Sequence, residues 1–184
     1  MKINSAQSYM FIKRFVFLFV LFISSGLSAQ SIFDHARAGN TDAVKQTLKH
    51  SPDSVNAVNE AGNSVLVIAS YKGQVEIVKL LLKKGADPNL SSNEGSPILA
   101  AVFKGDLAIA KLLLKKKVLV TAVGRDGNSA LHYAVLNKDI EMVKLLLKYT
   151  IDPSIKNSDG QTALSLAQAE KQELLIKLLE NATK

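Results

Sequence analysis

Apolar positions along this chain fall into a pattern that repeats. The triplet Leu80-Leu81-Leu82 returns as Leu112-Leu113-Leu114 and as Leu145-Leu146-Leu147, at spacings of 32 and 33 residues. Ahead of each triplet, Val75, Ile77, Val78 and Leu81 recur as Leu107, Ile109, Ala110 and Leu113, then as Ile140, Met142, Val143 and Leu146, the stripe of an amphipathic helix. A second stripe lies upstream in each unit. Leu66, Ile98, Leu131 and Leu164 stand three residues before Ala69, Ala101, Ala134 and Ala167, which puts a large and a small residue on one buried face of a helix and lets neighbouring helices approach. The pattern predicts two antiparallel helices per unit and five units, at about 31–58, 59–91, 92–123, 124–156 and 157–182. Glycines Gly62, Gly95, Gly127 and Gly160 punctuate at the same interval. A unit this small cannot bury its own apolar face, so neighbours must stack into one continuous core.

The signature of each unit is more specific than its period. Gly62-Asn-Ser-Val-Leu-Val-Ile-Ala69 is followed by Gly73, the run Val75 to Leu82 and Gly85-Ala-Asp-Pro-Asn89; Gly127-Asn-Ser-Ala-Leu-His-Tyr-Ala134 and Gly160-Gln-Thr-Ala-Leu-Ser-Leu-Ala167 repeat the first part. This resembles the ankyrin repeat, whose pattern reads G-x-T-P-L-H-x-A, a glycine, a V/I-V-x-x-L-L run and G-A-D-x-N. The resemblance spans roughly 31 to 182 and implies an all-α solenoid of about five helix-turn-helix units joined by β-turn or hairpin connections. Gly85 closes a helix where a left-handed residue is favoured, and Asp87-Pro88-Asn89 and Asp152-Pro153-Ser154 open outward turns. Three departures stand out. The first unit lacks the turn signature and the fifth ends in polar residues, as capping units do. In the third, one residue is missing between Gly95 and Ser96-Pro97, and Lys117-Val-Leu-Val-Thr121 replaces the glycine-led turn, so this junction is expected to be the least regular.

The N-terminus reads differently. Lys13 and Arg14 precede the apolar run Phe15 to Ile23, and no residue from Phe15 through Phe33 is charged. With the small residues Ser24 to Ala29 behind it, this is the layout of a secretory signal peptide, residues 1–29, with the mature chain starting near Gln30. An uncleaved membrane anchor over residues 15–29 is the alternative, because the stretch approaches the roughly 20 residues that cross a bilayer. Met10 is a second candidate start. Export and the absence of cysteine point to a fold held by packing alone. Removing Lys2, Lys13 and Arg14 with the leader lowers the formal charge of +7 by three, which weakens the case for a nucleic-acid partner.

Candidate chemistry is sparse. His35, His50 and His132 form no metal-binding spacing, and no nucleophile elbow, phosphate loop or dinucleotide fingerprint is present, so no catalytic residue, metal or cofactor is assigned. The resemblance gives His132 a hydrogen-bonding role in the turn region and His35 a packing role in the first unit. Lys45, Lys79, Lys111, Lys144 and Lys177, one per outer helix, read as a solvated face whose stems cover apolar surface.

Two inner-helix columns carry more information. The positions just before the mid-unit glycine are Arg37, Tyr71, Phe103 and Leu136 in the first column and Lys72, Lys104 and Asn137 in the second. The resemblance implies that both face a concave groove, where large apolar residues flanked by cations have the make-up of an interface hot spot. Asn93, Glu94, Arg125, Asp126 and Asn128 at the turn tips would form its rim. The expected function is a non-enzymatic protein-binding module or scaffold, monomeric, exported to the periplasm, with membrane contact only through an uncleaved leader. An accessory to an exported stress-protection enzyme such as a catalase is the alternative.

Overall fold

Most of the helices begin where the sequence supplies a capping side chain. The computed structural model describes residues 31–92, 95–116, 118–149 and 152–182; the leader, Asn93, Glu94 and Lys117 lie outside them. Among the described residues there are ten α-helices, in pairs: α1 Ile32–Ala38 with α2 Thr41–His50, α3 Val65–Tyr71 with α4 Val75–Lys83, α5 Pro97–Phe103 with α6 Leu107–Leu114, α7 Ala130–Leu136 with α8 Ile140–Leu147, and α9 Ala163–Ala169 with α10 Glu173–Ala182. A short 3-10 helix, Pro52–Asn56, closes the first unit. The hydroxyl oxygens of Ser64 and Thr162 accept the N–H groups of Val67 and Ser165, each at 3.1 Å, at the starts of the inner helices α3 and α9. At the outer helices α2, α6 and α8, carboxyl or amide oxygens of Asn40, Asp106 and Asp139 accept from Ala43, Ile109 and Met142 at 2.9 to 3.0 Å. Gln74 and Gln172 occupy the same place with side chains one carbon too long, and Gln74 makes no such bond.

The expected all-α solenoid is what the chain forms. Inner helices pack on inner helices and outer on outer in chain order. The core runs the length of the stack, with Ala69, Ala101, Ala134 and Ala167 and the middle leucines Leu81, Leu113 and Leu146 wholly buried. Each such leucine contributes roughly 1.5–3 kcal/mol. In the last unit Leu164 is only half-buried where Leu66, Ile98 and Leu131 are buried, since nothing stacks beyond it among the described residues. A buried serine in the inner helices departs from the pattern. Ser70 is wholly buried in the column that holds Ala36, Val102 and Val135, and its hydroxyl has no hydrogen-bond partner. Replacing it with alanine removes an unsatisfied donor at little cost in volume, so Ser70→Ala should raise the stability read from urea unfolding by about 1 kcal/mol.

The connections are hairpins, as the resemblance implies. Antiparallel bridges join Val58 to Ser64 and Val123 to Ser129, but the third joins Ser92 to Gly95, three residues apart instead of six, which is where the missing residue went. The turn after the third unit departs from its neighbour too. Val118 is buried in the place of Ala86, while Leu119, where Asp87 would stand, is 63% exposed. Successive turns are tied by a ladder: the Asn56 side-chain oxygen accepts the Asp87 N–H at 2.8 Å, and that of Asn89 accepts the Leu119 N–H at 2.7 Å.

Candidate binding groove

Because α3 and α5 end on Tyr71 and Phe103, stacking of the two units brings those rings side by side. Their centroids are 6.2 Å apart and their planes 16° from parallel. Tyr133, from α7, meets Phe103 edge-on at 5.5 Å and 89°. Such pairs add roughly 0.5–1.5 kcal/mol beyond their area burial. The row is nonetheless open to solvent, with Tyr71 43% and Phe103 50% exposed. A hollow of about 410 Å³ lies along it, lined among others by Arg37, Ile68, Tyr71, Lys72, Leu99, Ala100, Phe103 and Tyr133. Its depth comes from Ala100, a small residue in the column where the neighbouring units carry Ile68 and Tyr133.

The cations sit on one border. Lys72 and Lys104 are the C-cap residues of α3 and α5, where the helix dipole favours positive charge. Both ammonium groups lie over the Tyr71 ring, at 5.9 and 5.3 Å from its centroid. Arg37 reaches the same hollow while bonded to Asp34 at 2.8 Å.

The remaining residues named from the sequence are placed as follows. Leu136 is 47% exposed one unit beyond and does not line the hollow. Asn137 turns inward, its amide donating to the Val102 and Phe103 carbonyls at 3.1 Å each, so it clamps the helix end that carries Phe103. Arg125 and Asp126 are exposed at the hairpin tip. Asn128 is buried, its amide donating to Asp126 at 2.7 Å and its oxygen accepting from Asn157 at 3.0 Å, so its polar atoms are spent between turns and not offered outward.

Tyr133 was not singled out by sequence reasoning. Its signal was there in the alternation Ile68, Ala100, Tyr133, a gap between two large residues. The phenol donates to Asp126 at 2.8 Å. Burial, then the hydrogen bond and charge of that carboxylate, push the Tyr133 hydroxyl up to about 12. Burial also pulls the Asp126 carboxyl upward, but hydrogen bonds from Tyr133 and Asn128 outweigh it and hold the carboxyl below its ordinary range. The sign for Tyr133 follows: a folded-state value above the ordinary 10.0 means that its contribution to stability is complete below pH 10 and lost as pH rises toward 12. Ultraviolet titration of the four tyrosines should show one ionising late. Asp126→Asn should bring it part of the way back, because burial remains.

A family model described as ankyrin repeats, three copies, matches residues 32–123 and 98–184. The chain belongs to the ankyrin-repeat family. Among curated proteins, human "DNA-binding protein RFXANK" is 35% identical over 74 residues, 40% of this chain and 28% of that protein. Rat "Ankyrin repeat and SAM domain-containing protein 6" is 40% identical over 58 residues, covering 32% and 7%. Human "NAD-capped RNA hydrolase NUDT12" is also 40% identical over 58 residues, covering 30% and 13%, within the repeat region alone. This ankyrin-repeat chain thus spans less than a third of each of them. Ankyrin repeats are protein–protein interaction modules and generally non-enzymatic, and that is the level at which the family describes this chain. Among the described residues no helix is long and apolar enough to cross a membrane, and no group of three His, Asp or Glu side chains could hold a metal ion.

Proposed function

We propose that this ankyrin-repeat protein binds a partner protein in the groove along its inner helices, without catalysis of its own, in the envelope compartment to which the leader read in residues 1–29 directs it. The observation that carries this reading is the row Tyr71, Phe103 and Tyr133, left half-open to solvent and bordered by Lys72 and Lys104. A chain selected only for packing would gain by covering those rings, whereas a binding surface needs them bare. Rigid stacking also presents the rings without ordering a loop, which spares the partner part of the entropic cost of association.

The test is affinity capture from the envelope fraction with the mature chain, identification of the partner by mass, and measured binding to variants. Tyr71→Ala and Phe103→Ala should each weaken binding at least tenfold, about 1.4 kcal/mol, with a melting temperature within a few degrees of wild type. Normal binding with early melting would assign the row to packing instead.

A further inference from the structure

The groove's chemistry restricts what can occupy it. We propose that it takes an extended acidic peptide segment bearing one large apolar side chain, an inference that rests on the groove being the binding site. Its carboxylates would meet Lys72 and Lys104, and its apolar side chain would enter the hollow over Ala100.

Lysines on the two faces of the solenoid meet different neighbours. On the outer helices, Lys79 and Lys144 are held by Glu76 and Glu141 one turn away, at 2.6 and 2.7 Å. Among the described residues no carboxylate pairs with Lys72 or Lys104; an aromatic ring backs both instead. A ring face holds an ammonium in place without cancelling its charge, so the inner border keeps two uncompensated positive charges beside an apolar hollow. The opposite border differs. Among the described residues its polar lining groups, Asn63 and Ser96, are uncharged, and Asp126, which does not line the hollow, is occupied by Tyr133 and Asn128. An occupant is therefore oriented, with acid toward the inner-helix ends and the apolar group seated between.

A nucleic-acid strand fits this surface less well. Base stacking on a protein needs ring faces open in series. Here the Tyr71 and Phe103 rings lie face to face, and Tyr133 stands edge-on to Phe103. The hollow lies between side chains of neighbouring units and is deep enough to take a large apolar side chain.

The chain contains no tryptophan, so a tryptophan in a probe reports its own burial. The probe is a blocked nonapeptide, one central tryptophan flanked on each side by aspartates and glutamates, added to the mature protein. Its emission should shift to the blue and saturate, with affinity falling several-fold between low and high salt. The paired charge reversal Lys72→Glu with Lys104→Glu should weaken it at least tenfold. So should Ala100→Leu, which puts bulk on the floor of the hollow where the apolar side chain would sit; circular dichroism checks that each variant is folded. Three results would overturn the proposal: a probe with lysines in place of its acids binding within twofold, an alanine-centred acidic peptide competing equally well, or displacement by a single-stranded oligonucleotide. Should no probe bind while Phe103→Ala still abolishes capture of the native partner, the acidic class is wrong and the groove stands. Capture unchanged by Phe103→Ala removes the groove reading itself.

Discussion

His132→Ala should destabilise the protein by about 3 kcal/mol and loosen the last unit first. The imidazole is wholly buried between the fourth and fifth units. Its Nδ1 accepts the Ser129 N–H at 3.2 Å and lies 2.7 Å from the Ser129 hydroxyl, closing the start of α7. With Nδ1 accepting, the ring proton sits on Nε2, which donates to the Gln161 carbonyl of the next unit at 2.9 Å. Alanine strands the buried Ser129 N–H, at about 1–3 kcal/mol, takes one of two donors from the Gln161 carbonyl, which keeps the Asn157 N–H at 2.9 Å, and leaves the ring's volume empty. The equivalent residues Val67 and Leu99 fill the same place by packing alone. His132→Leu is therefore the informative control: it restores bulk without the bonds and should recover less than half of the loss. Because a solenoid is stabilised by nearest-neighbour interfaces, amide exchange should accelerate over 157–182 before the rest, and the urea transition should broaden. Full recovery by leucine would show that packing, and not hydrogen bonding, joins these units.

Gly127→Ala should cost a similar amount, about 3 kcal/mol, for a separate reason. The residue has φ +73°, and a Cβ there would lie 2.6 Å from the Ser158 backbone nitrogen and 2.9 Å from its hydroxyl. That nitrogen donates to the Asp126 carbonyl at 3.1 Å, so the fourth and fifth turns touch where a side chain would intrude. Alanine pays about 1–2 kcal/mol for the left-handed backbone alone, and the remainder for opening this contact. Gly160 isolates the first term. It has φ +74° with nothing within 4 Å of a Cβ, so Gly160→Ala should cost only the backbone part. Urea midpoints of the two variants decide the matter, and equal losses would mean that the close approach has no energetic weight.

How far the sequence reached differs from residue to residue. The leucine triplets and the alanine column were readable because a helix of period 3.6 fixes which side chains share a face, whatever the neighbouring unit does. The exposed Tyr71 and Phe103 were readable as exceptions to that rule. Tyr133 was hidden because the units on either side carry the apolar Ala100 and Leu166 in its column; only the contact with Phe103 and the bond to Asp126 draw it into the groove. Asn137 and Asn128 looked like surface polar residues, yet Asn137 donates its amide, and Asn128 accepts through its side-chain oxygen, across a unit boundary. A polar side chain with a free choice between solvent and a neighbour's carbonyl gives no sign of that choice in its own unit.

By itself, then, the sequence determined the architecture: five paired-helix units, the buried face of each helix, and the shortened third hairpin, all of which depend on local periodicity and turn chemistry. Only the tertiary structure decided which members of the exposed columns meet. Tyr71, Phe103 and Tyr133 come from three units, about 30 residues apart in the chain, and their ring contacts, the hollow over Ala100 and the two lysines above one ring exist only after stacking. Periodicity sets the direction of a side chain from its own helix axis. The spacing between helices, and so the partner each side chain finds, is set by the bulk of every residue packed between them.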